Sequence, residues 1–417
     1  MKYGLIGGKL VHSFSKEIHS RLCGYEYELK ELSKKDLPDF LKNRDFSGIN
    51  VTIPYKTTVI GYLDEIDDAA RQIGAVNTIV NRNGKLYGYN TDAFGLLYLI
   101  KKNGIGFDGK RVLILGSGGT SKTAEFVAKN LKVLSVMRVS RKQKEGFITY
   151  AEAENLYNDA DIIINTTPCG MFPDTENTPI DLRKFQNLCA VIDVIYNPLK
   201  TRLILGAEKR GLTAAGGLYM LVMQAVGAAE LFTGEKVSLD KVNDVYRAIK
   251  REKQNIVLIG MPSSGKTTIG KELSNKLGMP FFDSDEVIKN KTGRTPAEII
   301  RSDGEPAFRK LESEVISELS KSNHIVIATG GGAPTVYDNV LSLKSNGRVY
   351  FIDRPYHLLE ATPDRPLSSS KEALRSLYES RIDVYRAAAD VRVNNDCDIE
   401  YVENYIRKDF CYEDTCD

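Results

Sequence analysis

The stretch Gly260-Met-Pro-Ser-Ser-Gly-Lys-Thr-Thr-Ile-Gly270 decides how the second half of this chain folds. It fits the phosphate-loop pattern G-x-x-x-x-G-K-[ST], with Gly260, Gly265, Lys266 and Thr267 in the required places and Thr268 following. The spacing has a physical basis. A tight turn aims successive backbone N–H groups at phosphate oxygens, the lysine adds positive charge, and the threonine hydroxyl reaches a magnesium ion. Immediately upstream, Asn255 to Ile259 (NIVLI) is a short apolar run that predicts a buried strand, and Thr268 to Leu277 predicts an amphipathic helix. Strand, glycine turn and helix in that order predict an α/β domain that binds a nucleoside triphosphate.

Downstream, Pro280-Phe-Phe-Asp-Ser-Asp285 predicts a strand whose alternation puts Asp283 and Asp285 on one side. Phe308-Arg-Lys-Leu-Glu312 sets an arginine and a glutamate one helical turn apart, and Ile325 to Ala328 runs through Thr329 into Gly330, Gly331 and Gly332. D-x-D, F-R-x-x-E and G-G-G behind a phosphate loop resemble the shikimate kinase family, from about residue 254 to the C-terminus. The resemblance implies a P-loop, nucleoside-monophosphate-kinase-like α/β domain with a parallel sheet over 254–417. It implies that Thr267 and Asp283 organise Mg2+, that Lys266 neutralises phosphate charge, and that Asp285 orients or deprotonates the attacking hydroxyl. Arg309, the Gly331 backbone and Arg381 would take the substrate carboxylate, Glu312 would orient Arg309, and Arg365 in Asp364-Arg-Pro-Leu367 would be the lid arginine. Two places depart from the family: Ser263 replaces an inner glycine of the loop, and Leu359-Glu-Ala-Thr362 replaces the arginine that packs on adenine. The tail Asp409 to Asp417 matches no motif and is expected to be solvated.

The first half opens on an apolar run at residues 2–6, a Gly7-Gly8 turn and the serine pair Ser13 and Ser15 before a helix. Asn50-Val-Thr-Ile-Pro-Tyr-Lys56 reads as a β-branched strand that ends at Pro54 and delivers a lysine. Gly74-Ala-Val-Asn-Thr78 and Gly88-Tyr-Asn-Thr-Asp92 follow. The four motifs S-x-S, N-V-T-x-P-x-K, G-A-V-N-T and G-x-N-T-D, in this order, resemble the shikimate dehydrogenase family up to about residue 250. Lys16 stands where the family carries proline. Reduction of a ketone builds negative charge on its oxygen, which a lysine ammonium held by a carboxylate can meet with a proton. The family's lysine and aspartate fall on Lys56 and Asp92. Ser13, Ser15, Thr52, Asn77, Tyr196 and Gln224 would hold the substrate's carboxylate and hydroxyls.

Lys110 to Leu115 predicts a strand feeding Gly116-Ser-Gly-Gly119 and a helix, the arrangement that sets a pyrophosphate against a helix N-terminus through Gly116, Gly118 and Gly119. The next strand, around 133–139, ends in Ser140-Arg141-Lys142 with no acid for a ribose hydroxyl. Ser140 and Arg141 suit a 2′-phosphate, so NADP (NADPH) is the expected cofactor. Cys169 is expected to be a packed thiol. The expected layout is a dehydroshikimate-binding domain at 1–98, to which 218–250 returns, a Rossmann NADP-binding domain at 99–217, and the kinase.

Composition sets the remaining bounds. The chain has 417 residues and a formal charge of +2, which gives no global attraction to nucleic acid or a membrane surface. Six scattered cysteines and four histidines suggest neither a disulfide framework nor a zinc site. With no leader or apolar span of membrane length read from the chain's start, a cytoplasmic monomer or homodimer acting on small molecules is expected. The functional expectation is a bifunctional enzyme: an NADPH-dependent 3-dehydroshikimate reductase joined to a shikimate 3-kinase. Two alternatives are a quinate-type dehydrogenase joined to a kinase for another polyol acid, and one catalytic half beside a non-catalytic module.

Overall fold

The computed structural model describes residues 1–10, 13–361, 370–396 and 398–412. Two compact units divide the chain: Met1–Asn197 with Thr201–Ile249, and Lys250–Asp417 with Pro198–Lys200. Among the described residues, no helix is long and apolar enough to cross a membrane.

The first unit carries two six-stranded sheets. The first is built from β1 (Tyr3–Gly7), β2 (Glu28–Glu31), β3 (Gly48–Val51), β4 (Glu65–Ile66), β5 (Thr78–Arg82) and β6 (Lys85–Tyr89), in the order β2-β1-β3-β5-β6-β4. Here β1 pairs parallel with β2 and β3, while β5 runs antiparallel to both β3 and β6. β3 stops at Val51, short of Pro54. Val51 N–H then donates to the Asn77 carbonyl at 2.8 Å, so the chain beyond β3 runs directly beside the end of β5.

The second sheet contains β7 (Arg111–Leu115), β8 (Ser135–Val139), β9 (Phe147–Ile148), β10 (Ile162–Asn165), β11 (Ala190–Asp193) and β12 (Thr213–Ala215). Its order is β12-β11-β10-β7-β8-β9, parallel throughout. Leu113, Leu115, Ile163 and Val191 share one core with Leu203 and Ile204 of the helix Arg202–Lys209. Burial on both faces explains why these strands read as unbroken apolar runs. The strand order reverses between β7 and β10, which opens a crevice at their C-terminal ends, where such sheets bind nucleotides.

Helix Leu218–Thr233 is buried almost from end to end and packs on helix Thr91–Lys102. Gly95 makes this close approach possible: a Cβ there would lie 2.5 Å from the Met220 carbonyl oxygen. Asn90 caps the second helix by accepting from Ala93 N–H at 3.1 Å, which fixes Asp92 in its first turn.

The second unit is a five-stranded parallel sheet of β13 (Asn255–Ile259), β14 (Phe281–Asp283), β15 (Val326–Ala328), β16 (Gly347–Asp353) and β17 (Val391–Asn394). Its order is β14-β15-β13-β16-β17. Every residue of β13 is buried, and helix Lys266–Leu277 follows the phosphate loop. Two readings of the sequence are corrected here. Asp283 and Asp285 do not share a strand: β14 ends at Asp283, whose carboxylate accepts the Asp285 N–H at 3.0 Å and caps helix Ser284–Thr292. A cap at this point satisfies an otherwise orphaned helical donor, which overrides the alternation of the strand. Nor is the whole stretch from Asp409 a solvated tail. Asp409 belongs to helix Ile399–Tyr412 and binds the Arg348 guanidinium at 2.7 and 3.0 Å and the Tyr350 hydroxyl at 2.7 Å.

Candidate active sites

In the first unit, the segment after β3 is held at both ends of its lysine. Tyr55 is buried and its hydroxyl donates to the Leu32 carbonyl at 2.6 Å, while the Lys56 carbonyl accepts from Val76 N–H at 2.8 Å. The Lys56 ammonium therefore emerges in a fixed place, 2.6 Å from Asp92 Oδ2. The other oxygen, Asp92 Oδ1, accepts from the Asn77 side-chain amide at 2.8 Å. Asn77 is itself fixed, because its side-chain oxygen accepts Thr91 N–H at 2.7 Å. Both Asp92 and Asn77 are buried, and the ammonium is mostly covered. A charge-assisted hydrogen bond of this kind contributes about 1.5–3 kcal/mol. The arrangement holds a partly covered ammonium with its counter-charge fixed against it, which is suited to protonating a developing alkoxide.

The other predicted residues gather less tightly. Ser15 is buried and its N–H donates to Ser13 Oγ at 3.3 Å. The Tyr196 ring meets Phe14 edge-on at 5.1 Å, which brings it to the serine segment, and burial raises its phenol above the usual value. Thr52 is half-buried. The Gln224 amide donates to Leu221 of its own helix at 2.9 Å and bonds none of the other predicted residues.

At the crevice of the second sheet, helix Gly119–Asn130 starts behind Gly118 with no side chain capping it, although Ser121 N–H already donates to the Gly118 carbonyl at 3.2 Å. Arg141 is exposed just past the end of β8, and Ser140 Oγ accepts from Lys142 N–H at 3.3 Å. Cys169 is half-buried and burial raises its thiol, in keeping with an unreactive side chain. Sequence reading passed over Asp193, which is completely buried. Its carboxylate accepts from the Asn165 amide (3.1 Å), Ile195 N–H (3.0 Å) and the Thr201 hydroxyl (2.7 Å), tying the turn that carries Tyr196 to the end of β10. Burial, against those three bonds, raises its carboxyl to about 6. The available signal was two apolar strands, IIIN and AVID, each ending in a polar residue at the crevice edge.

In the second unit, Thr267 Oγ1 donates to Asp283 Oδ2 at 2.8 Å, so a hydroxyl and a carboxylate oxygen stand together beside the loop. Lys266 is buried and its ammonium binds the loop's own carbonyls, Met261 at 2.8 Å and Gly260 at 3.0 Å. Thr268 lies exposed in the first turn of the following helix. Ser263 adopts a left-handed φ of 61° and donates its hydroxyl to the Glu360 carbonyl at 3.0 Å, a tether that glycine could not make.

The three glycines after β15 are dictated by their neighbours. A Cβ on Gly330 would fall 2.6 Å from Glu312 Oε1 and 2.8 Å from Asp285 Oδ1, so both carboxylates close on this glycine. A Cβ on Gly332 would fall within 2.3 Å of the Arg309 guanidinium, so only glycine admits that side chain here. Gly331 sits against Pro262 of the phosphate loop and lends its carbonyl to the Tyr385 hydroxyl at 2.5 Å. Arg309 donates to Glu312 at 2.7 Å and to Glu305 at 2.8 and 3.1 Å. Glu312 has no exposure, and burial pushes its carboxyl up to about 7 against the opposing pull of Arg309; the Asp285 charge adds to the rise, and Arg381 opposes it. Arg381 is buried beside this group. Arg309, Arg381 and Asp285 are thus gathered around the buried Glu312 carboxylate. Arg365 lies outside the described residues.

Fold and site together define the first unit as a dinucleotide-dependent oxidoreductase and the second as a phosphate-loop kinase. Residues 5–79 match the family model described as the shikimate dehydrogenase substrate binding domain, and residues 262–409 match that of shikimate kinase. The shikimate dehydrogenase (NADP(+)) of Clostridium perfringens (strain 13 / Type A) is 34% identical over 266 residues, covering 60% of this chain and 98% of that protein. Shikimate dehydrogenase 1 from Peptoclostridium difficile, a crystal structure, is 36% identical with a TM-score of 0.56, over 60% of this chain and 98% of that one. Shikimate 5-dehydrogenase from Thermus thermophilus, solved with NADP(H) and shikimate, is 29% identical with a TM-score of 0.54, over 60% and 99%. The chain belongs to the shikimate dehydrogenase family and carries a shikimate kinase domain behind it.

Proposed function

We infer that this chain is a bifunctional enzyme of the shikimate pathway, reducing 3-dehydroshikimate to shikimate with NADPH and phosphorylating shikimate to shikimate 3-phosphate with ATP. The observation that supports the reading is one chain that holds Lys56 against Asp92 in its first unit and, in its second, Thr267 against Asp283 behind the phosphate loop, with Asp285 following. NADPH, when bound, supplies the hydride to the carbonyl carbon. Lys56 gives its proton to the carbonyl oxygen and regains one from solvent, while Asp92 holds the ammonium on target. Ser13, Ser15, Thr52, Asn77, Tyr196 and Gln224 orient the ring acid.

In the second reaction, the substrate's 3-hydroxyl oxygen forms the new bond to the γ-phosphorus as the bond to ADP breaks, and Asp285 takes the hydroxyl proton. Arg309, Arg381 and the Gly331 backbone hold the carboxylate, and Lys266 offsets phosphate charge. The Thr267 and Asp283 oxygens fit a hard cation, so these two residues would hold Mg2+, which would supply positive charge against the phosphates. Supplying 3-dehydroshikimate, NADPH and Mg-ATP to the purified chain should yield shikimate 3-phosphate by mass spectrometry. Accumulation of shikimate alone would remove the kinase half, and unconsumed NADPH would remove the reductase half.

Cofactor choice has its own test. With Arg141 as the 2′-phosphate contact, Arg141→Ala should raise the KM for NADPH roughly 30-fold, equivalent to about 2 kcal/mol for one charge-assisted bond. The KM for NADH should barely move. Equal weakening of both would assign the 2′-phosphate to other residues.

A further inference from the structure

We propose that Asn395 is a positioning residue of the phosphate loop, which holds the Ser264 carbonyl so that the Gly265 N–H faces the phosphates of a bound nucleoside triphosphate. The proposal rests on the reading of residues 260–268 as the nucleotide site. Asn395 follows β17 directly, and its backbone N–H donates to the Asp353 carbonyl at 2.9 Å, which moors it to the end of β16. The side chain has no exposure, and its amide nitrogen donates to the Ser264 carbonyl at 2.7 Å. Ser264 is equally buried, so this carbonyl takes its bond from the protein interior.

Peptide geometry turns that anchor into an aiming device. In a planar trans peptide the carbonyl and the following N–H point in opposite directions. With the Ser264 oxygen fixed on Asn395, the Gly265 N–H must point away from β17, toward the concave side of the loop. An anchor is needed because Gly265 sits at a φ of 88° and, lacking a Cβ, can reach the opposite sign of φ without a clash. The same absence of a Cβ lets Asn395 come close: a Cβ on Gly265 would lie 3.1 Å from the amide nitrogen. Asn395 Oδ1 is buried and accepts no hydrogen bond among the described residues. An apolar side chain of similar size would avoid that orphan, so the amide is retained for its donor. Reversing the amide would set two acceptors face to face.

The test compares Asn395→Leu with wild type in the full chain. Leucine nearly keeps the shape, loses the donor and adds no charge. We expect binding of inorganic tripolyphosphate, and the KM for Mg-ATP, to weaken about tenfold or more, the effect of removing one buried donor. Adenosine binding, the KM for shikimate and the reductase rate should stay within about twofold, since none of them uses the Gly265 N–H. A space-filling role would instead leave the Leu variant like wild type, and that result overturns the proposal. So does parallel loss of adenosine and tripolyphosphate binding in a variant that melts like wild type. If the Leu variant melts early, Asn395→Ser decides: its shorter side chain should cost tripolyphosphate affinity and spare adenosine, and unchanged tripolyphosphate affinity overturns the role. A wild-type chain that binds neither ATP nor tripolyphosphate refutes the nucleotide site itself, a result distinct from any difference between variants.

Discussion

Lys56→Ala is expected to lower the rate of 3-dehydroshikimate reduction by about 10³-fold or more, combining loss of a general acid with loss of charge at the developing alkoxide. The geometry makes the effect local. Asp92 keeps its second hydrogen bond from Asn77 at 2.8 Å, and Asn77 keeps its bond from Thr91, so the site retains its shape around the missing ammonium. NADPH affinity should therefore change little, and phosphorylation of added shikimate should proceed at the wild-type rate. Steady-state assays of the two reactions on one preparation check this. Loss of both activities would sink the model of two separate centres, and a reductase within about tenfold of wild type would deny Lys56 the proton transfer.

Asp285→Asn is expected to cut the kinase kcat by about 10²–10⁴-fold, the range of a positioned acid–base group, with only a modest change in the KM for ATP. The backbone supports this separation. Asp283 accepts the N–H of residue 285 whatever side chain it bears, and Thr267 and Asp283 keep their mutual bond. The substitution also removes the negative charge that helps raise the neighbouring Glu312 carboxyl to about 7, so Glu312 should titrate lower in the variant. Near-normal turnover would show that Asp285 neither orients nor deprotonates the hydroxyl.

Much of the fold was legible because its central strands are buried on both faces. NIVLI and RVLIL could be recognised from apolar runs that stop at a glycine turn, and the parallel sheets follow from repeated strand–helix alternation. The Lys56 and Asp92 centre was legible through motif order, and here the two side chains lie 2.6 Å apart although 36 positions separate them. Local chemistry was read less well. D-x-D looked like strand alternation, whereas the first aspartate serves as a helix cap, because a two-residue spacing fits either role. Asp409 was misjudged for a related reason: its partners Arg348 and Tyr350 lie some sixty positions away, beyond any window in which charge pattern is informative. Asp193 and Asn395 were overlooked because their work is done through carbonyls, amides and hydroxyls brought together only by the finished sheets. The polar residues that end IIIN and AVID marked a crevice edge, but not which groups would meet there.

The contacts of Lys266 bear on how the kinase meets its nucleotide. Its ammonium is already out of water and already satisfied by the Gly260 and Met261 carbonyls. Most of the dehydration that a phosphate-binding cation must undergo is therefore completed as the chain folds rather than when the ligand arrives. Arrival then becomes an exchange of one set of oxygens for another, in which discrimination depends on whether the newcomer's charge exceeds that of two neutral carbonyls. On the proposed nucleotide role, a triphosphate meets that condition and a neutral solute does not, so the loop would reject uncharged competitors by the comparison it imposes.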